Sequence, residues 1–108
     1  MTQTTMSSNT PIQVRTEGLI IELTIMGKGK AVDISSATTK QIIIKPPIGD
    51  NITKTATFSS DGTDGKLRCV TVDDDLGIAG NYQTQAYVEL INFTGFSSIT
   101  SFQVVDNL

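Results

Sequence analysis

The chain has 108 residues, which is the size of a single domain. It contains no His, no Trp and only one Cys, so it lacks the commonest general base and zinc ligand and forms no disulfide within the chain. Its net charge is -3, it has no Lys/Arg cluster, and its apolar runs are short, so we expect neither nucleic acid nor a membrane as partner.

The first ten residues carry no apolar periodicity. They are rich in Thr and Ser, and such a segment buries too little surface to offset the entropy lost on ordering. We therefore predict a flexible N-terminal arm over residues 1–10 and one domain over residues 11–108. Two explanations of the arm stay open: a frayed terminus, or a segment that orders against a neighbouring subunit.

The rest of the chain is predicted to form short β-strands. Thr occurs 16 times, and Ile and Val are also frequent; these β-branched residues pack well on pleated surfaces. An extended segment near 12–16 precedes stretches of alternating apolar and polar residues, which are separated by loops rich in Gly and Pro. The predicted strands lie near 19–26, 38–45, 52–58, 66–72, 80–90 and 97–105. No stretch has the spacing of a long helix, and short elements of this number are typical of an all-β sandwich.

The inward side of these strands defines a predicted hydrophobic core. Its members are Leu19, Ile21, Leu23, Ile25, Ile42, Ile44, Phe58, Leu67, Cys69, Tyr82, Ala86, Val88, Phe102 and Val104. Tyr82 has a second predicted role, because it opens a long strand after an acidic turn, as in the tyrosine corner of sandwich domains. We expect its hydroxyl to bond back to that turn.

Few residues carry a catalytic or metal-binding signal. Asp73–Asp75, with Asp61 and Asp64, could offer oxygens to Ca²⁺, but the spacing differs from an EF-hand and a solvated turn explains the run better. Cys69 falls on the same side of its strand as Leu67 and is predicted to be a small buried hydrophobe. We expect no catalytic residue, no metal and no cofactor, and hence no enzyme.

Several apolar residues lie outside the predicted core. Ile43 stands between two core residues, and two Phe fall in the turn predicted at 92–95 and just after it. The candidate interface residues are Ile12, Val14, Ile20, Met26, Ile43, Tyr87, Phe93 and Phe96. An alternative stays open, in which the loops and the terminal arm of the sandwich cover these residues.

Six short motifs follow one another along the chain: VDISSAT at 32–38, IIIKP at 42–46, GKLR at 65–68, DL at 75–76, GNY at 80–82 and SFQV at 101–104. Their order and gaps resemble the immunoglobulin-like domain that begins bacteriophage baseplate upper proteins. The resemblance runs over residues 19–105, with a longer turn at 45–49 and Ala79 where the family often has Pro. It implies an all-β immunoglobulin-like sandwich of about seven antiparallel strands with an extended N-terminal arm.

The resemblance also implies a function. It indicates a non-enzymatic structural protein of a virion, made in the host cytoplasm, which forms part of the tail or baseplate or decorates the head. Its partners would be other virion proteins and copies of itself, bound through a sheet face and the arm. The alternative is a carbohydrate-binding or host-surface-binding adhesion module, for which a host glycan would be the partner; its aromatic residues are few and include no Trp.

Overall fold

The computed structural model describes residues 4–5, 12–14, 17–72 and 75–106. These residues are all β, and no helix lies among them. The described residues therefore include no helix that could cross a membrane. The arm predicted over residues 1–10 lies outside the described residues, apart from Thr4–Thr5, and so do Asp73 and Asp74.

The described residues form twelve strands: β1 (Thr4–Thr5), β2 (Ile12–Gln13), β3 (Leu19–Thr24), β4 (Met26–Gly27), β5 (Lys30–Ala31), β6 (Thr39–Lys45), β7 (Ile52–Thr55), β8 (Thr57–Phe58), β9 (Lys66–Val70), β10 (Gly80–Leu90), β11 (Phe93–Phe96) and β12 (Thr100–Val105). Each of the six strands expected from alternation is present in some form, and β10 has the predicted bounds. The strand predicted near 52–58 is divided, because buried Ala56 separates β7 from β8.

Two sheets contain most of these strands. The four-stranded sheet has the order β1-β3-β9-β8, and the six-stranded sheet has the order β2-β12-β10-β6-β7 with β11 also paired to β10. β4 and β5 form a small separate hairpin. The described pairs are antiparallel except for β1 on β3 and β2 on β12, which are parallel, so the expectation of antiparallel strands fails at the N-terminal end.

One core lies between the two large sheets, and every predicted core residue but one is buried in it. The exception is Phe58, which is partly buried because its strand is a two-residue edge, with the ammonium of Lys40 4.7 Å from the ring centroid. Four further apolar residues complete the core: Ile12, Ile34, Ala56 and Leu76. Ile12 was expected at an interface, but its parallel pairing with β12 places it next to Val104 and buries it.

The segment between β9 and β10 is held by two polar anchors. The Tyr82 hydroxyl donates to the carbonyl oxygen of Ile78 at 2.7 Å and accepts the amide of the same residue at 3.3 Å, which confirms the predicted bond back to the turn. A carboxylate oxygen of Asp75 accepts bonds from Nζ of Lys54 at 2.5 Å and from the amide of Val72 at 2.8 Å. Asp75 is therefore buried and paired, and the prediction of a solvated turn is wrong at this residue.

Three segments meet at the end of the molecule opposite the β9–β10 segment: the loop 25–38, the β8–β9 loop and the end of β10. The loop 25–38 binds the β8–β9 loop through backbone bonds from Ile25 to Gly65 and from Ile34 to Gly62, each 2.8 Å long, and Thr38 binds the end of β10. Gly65 has a φ of 74°, and a Cβ there would lie 2.9 Å from two backbone carbonyl oxygens. A side chain at this position would therefore force the two loops apart.

Candidate interaction surface

The outer face of the six-stranded sheet is where the candidate interface residues gather most closely. In β6 the core residues Ile42 and Ile44 point inward, which leaves Ile43 outward and half-buried. In β10 alternation directs Tyr87 outward in the same way. Ile43 pairs in register with Gln85, and so these outward residues lie side by side on neighbouring strands.

An apolar group stands on this face among polar neighbours; we call it the outer patch, and it consists of Ile43, Tyr87, Phe96 and Ile99. The rings of Tyr87 and Phe96 contact each other across β10 and β11, with centroids 5.0 Å apart. Phe96 and Ile99 are 53% and 59% exposed, and their position together on one face distinguishes them from exposed apolar residues that stand alone. Between Ile43 and Ile99 lies a shallow cavity of about 110 Å³, whose walls include Lys45 and Gln85.

Electrostatics around the patch are mild. Desolvation raises the pKa of the Tyr87 phenol, and the nearby Glu89 carboxylate raises that pKa further. The phenol is therefore neutral throughout the physiological range, because its pKa already lies well above it. The patch can offer hydrogen bonds and apolar area to a partner, with Lys45 at one end and Glu89 at the other as its charged neighbours.

A β-bulge shapes the edge of this face. Ser97 lies opposite Ala86, and Thr100 lies opposite Thr84. The chain between β11 and β12 therefore advances three residues where β10 advances two, which defines a bulge. The amide of Ala86 donates to Oγ of Ser97 at 2.8 Å, and the carbonyl oxygen of Ser97 turns aside to accept Nε2 of Gln85 at 3.0 Å. The residue added by the bulge leaves Ile99 exposed as part of the outer patch.

The other candidate interface residues are distributed over the molecule. Val14 is half-buried against the core, and its amide donates to the carbonyl oxygen of Val105. Ile20 is half-buried on the outer side of the four-stranded sheet, and Met26 is 48% exposed on the β4–β5 hairpin. The outer patch thus unites three of the eight candidates, and the remaining five do not share its face.

Phe93 lies at the loop end of the molecule. Its ring lies over Gly95, where an added Cβ would lie 2.5 Å from Cε2 of the ring. The turn expected at 92–95 consists only of Ile91 and Asn92, because Phe93–Phe96 is a strand. Beside this turn is an open cavity of about 390 Å³, lined by Ser36, Thr38, Leu90, Ile91, Asn92 and Phe93.

Two exposed residues near these sites were missed from the sequence. The outward position of Ile99 could have been predicted from the sequence. Phe102 and Val104 are assigned to the inward side, so alternation over 97–105 places odd-numbered residues such as Ile99 outward. Ile91, which is 93% exposed, carries no signal of its own, because an apolar residue at the end of a strand is as often buried as exposed.

Those Asp residues considered for metal binding that the structure describes are engaged in local structure. Asp61 accepts bonds from the hydroxyl and amide of Thr63, and Asp64 accepts the amide of Lys66. Among the described residues no group of three or more His, Cys, Asp or Glu is placed to hold a metal ion. Burial raises the pKa of the Cys69 thiol to about 11, so this side chain is a small hydrophobe, as predicted.

No protein-family model matches the chain, and no curated protein shows significant similarity to it.

Proposed function

We propose that the chain is an immunoglobulin-like β-sandwich that serves as a non-enzymatic structural protein of a bacteriophage virion. It acts in the tail or baseplate or as a decoration of the head, and it joins other virion proteins and copies of itself through a sheet face and the N-terminal arm. It is made in the host cytoplasm and located in the virion.

Strand order supports the immunoglobulin-like part of the proposal. Immunoglobulin domains have one sheet in the order A-B-E-D and a second sheet that contains C, F and G. With β3 as the second strand of that scheme, the four-stranded sheet β1-β3-β9-β8 has the same order, and β6, β10 and β12 are neighbours in the other sheet. The tyrosine corner at Tyr82 stands at the start of the strand equivalent to F, as it does in that fold.

The outer patch is the observation that supports assembly. A structural subunit needs a surface that a partner can dehydrate, and aromatic residues at the centre of such surfaces contribute most of the binding energy. Tyr87 and Phe96 form a contacting pair with an exposed ring on the outer face of the sheet. The resemblance of the sequence motifs to those of phage baseplate domains, which runs over residues 19–105, supports the class of particle.

Density-banded particles of a phage that encodes this chain test the proposal directly. Quantitative mass spectrometry should find the chain at a fixed copy number, and Phe96→Ser should reduce its incorporation. Ile91→Ser is the matched control, because that residue is also exposed and apolar but lies away from the outer patch. Particles that band without the chain would contradict the virion role, and equal incorporation of both variants would contradict the role of the patch.

The loop-end cavity supports a second candidate, an adhesion module that binds a carbohydrate or another host-surface group. The cavity combines the ring of Phe93 with the hydroxyls of Ser36 and Thr38 and the amide of Asn92, which together can stack on a sugar and bond to its hydroxyls. Binding of the full chain to a glycan array, abolished by Phe93→Ala and unaffected by Phe96→Ser, would favour this candidate. The absence of glycan binding combined with stoichiometric incorporation into particles would favour the structural role.

A further inference from the structure

One edge of the six-stranded sheet carries backbone groups that face away from their neighbour. β11 pairs with β10, and no other described strand lies on its far side. The amide of Ser97 donates to the carbonyl oxygen of Ala86 in β10, so this amide points toward β10. Because these groups alternate in direction along a strand, those of Thr94 and Phe96 point outward from the sheet.

The composition of this edge leaves it unprotected. Residues 90–105 contain no Asp, Glu, Lys, Arg or Pro, although charges and prolines are what usually keep sheet edges from pairing. The other end of the same sheet is different, since the outermost strand β7 contains Lys54. The remaining end strands of the two large sheets, β1, β2 and β8, are each only two residues long. Of the described edges, β11 is therefore the one best suited to accept another strand.

A second copy of the chain fits this edge because an antiparallel pair of identical strands is self-complementary. Around a two-fold axis, the outward groups of Thr94 and Phe96 in one copy meet the same groups of its partner, and each bond is formed twice. No charge stands opposite a like charge, because the strand has none. The exposed side chains of Phe96 from the two copies come together beside the axis and lose their contact with water.

We propose that two copies of the chain associate through antiparallel pairing of β11 with β11, which joins their six-stranded sheets into one. This contact goes beyond the proposed function, since it is formed by the backbone of the sheet edge, with Phe96 of the outer patch beside it, and would hold for the chain outside any particle. The paired sheets would place two outer patches on one continuous face.

A charge placed on the edge tests the proposal. Thr94→Lys adds an ammonium group to each copy beside the axis, where the two repel each other. Thr53→Lys is the matched control, because Thr53 is also an exposed residue on the outward side of an edge strand, β7, at the opposite end of the sheet. Light scattering and sedimentation of the full-length chain over a hundredfold range of concentration measure the dimer, and amide hydrogen exchange locates it.

We expect the unmodified chain to dimerise with concentration, Thr94→Lys to raise the dimer Kd by roughly tenfold or more, and Thr53→Lys to leave it unchanged. The amides of Thr94 and Phe96 should exchange more slowly as concentration increases. A chain that stays monomeric throughout would overturn the proposal, and so would a dimer that Thr94→Lys does not weaken. Slow exchange of the two amides in a monomer would also overturn it, because the edge would then be occupied within one chain.

Discussion

The ion pair between Lys54 and Asp75 should be a principal source of stability for the segment between β9 and β10. Both side chains are nearly buried, with 17% and 9% of their surfaces exposed. One carboxylate oxygen of Asp75 accepts hydrogen bonds from both the Lys54 ammonium group and the Val72 amide. A charged hydrogen bond in such a place contributes about 1.5–3 kcal/mol, and the bond to the amide adds about 1 kcal/mol. Asp75→Ala removes both bonds and should cost about 2–4 kcal/mol of the free energy of unfolding.

A double-mutant cycle separates the pair from its surroundings. Lys54→Met keeps most of the apolar stem and removes the charge, Asp75→Asn keeps the acceptor for Val72, and the double variant removes both charges. Urea unfolding at neutral pH should give a coupling energy of about 1–3 kcal/mol, with the double variant more stable than the sum of the single changes predicts. Lys66→Met, at an exposed lysine of β9, is the control and should change stability little. Coupling near zero would refute the reasoning, because it would mean that water already solvates both charges.

Four further predictions concern single sites. Tyr82→Phe should lower stability by about 1–3 kcal/mol, measured by thermal unfolding, since the hydroxyl makes two backbone bonds; an unchanged melting temperature would contradict this. Ser97→Ala should cost a similar ~1–3 kcal/mol in urea unfolding, because a buried amide of β10 loses its acceptor, whereas Ser98→Ala should be nearly neutral. Cys69 should react with a thiol reagent at pH 8 only as fast as the chain opens, since a thiol with a pKa of about 11 is only about 0.1% ionised there; rapid reaction in the folded chain would refute its burial. Bonds from the hydroxyls and amides of Ser35 and Thr63 lower the pKa values of Asp33 and Asp61 below 3.8, so the stability they give is present above that pH and is lost as pH falls below it. Replacing either Asp by Asn should make the urea midpoint less dependent on pH below 3.8, and an unaltered dependence would contradict the assignment.

Local alternation in the sequence was sufficient to predict most of the strands and nearly all of the core. A strand that faces a core on one side and water on the other must alternate with a period of two, and this pattern is readable without knowing the partner strand. It located β10 at its observed bounds and assigned the inward positions of β3 and β9 correctly. The tyrosine corner at Tyr82 was also predictable, because its bond closes over four residues.

The candidate surface could be predicted only in part. Ile43, Tyr87 and Phe96 were each named from their own strands, but alternation shows only that a residue points outward and does not show which residues are neighbours. Tyr87 and Phe96 contact each other across the β10–β11 hairpin, where the sequence predicted a turn at 92–95. Ile99 lies next to them because of a bulge. A bulge depends on how two strands are paired, and therefore no local pattern announces it.

Sequence alone determined that this chain is all-β, that its core is formed by one side of each long strand, and that its one thiol is buried, because these properties follow from the local pattern of side chains. Only the tertiary structure decided that the chain changes sheets at Ala56 and that Asp75 is buried against Lys54. Only the structure, too, showed that three outward residues lie together and that no other described strand pairs with the far side of β11. These features depend on contacts between residues distant in the chain, and such contacts are set by the register and pairing of whole strands.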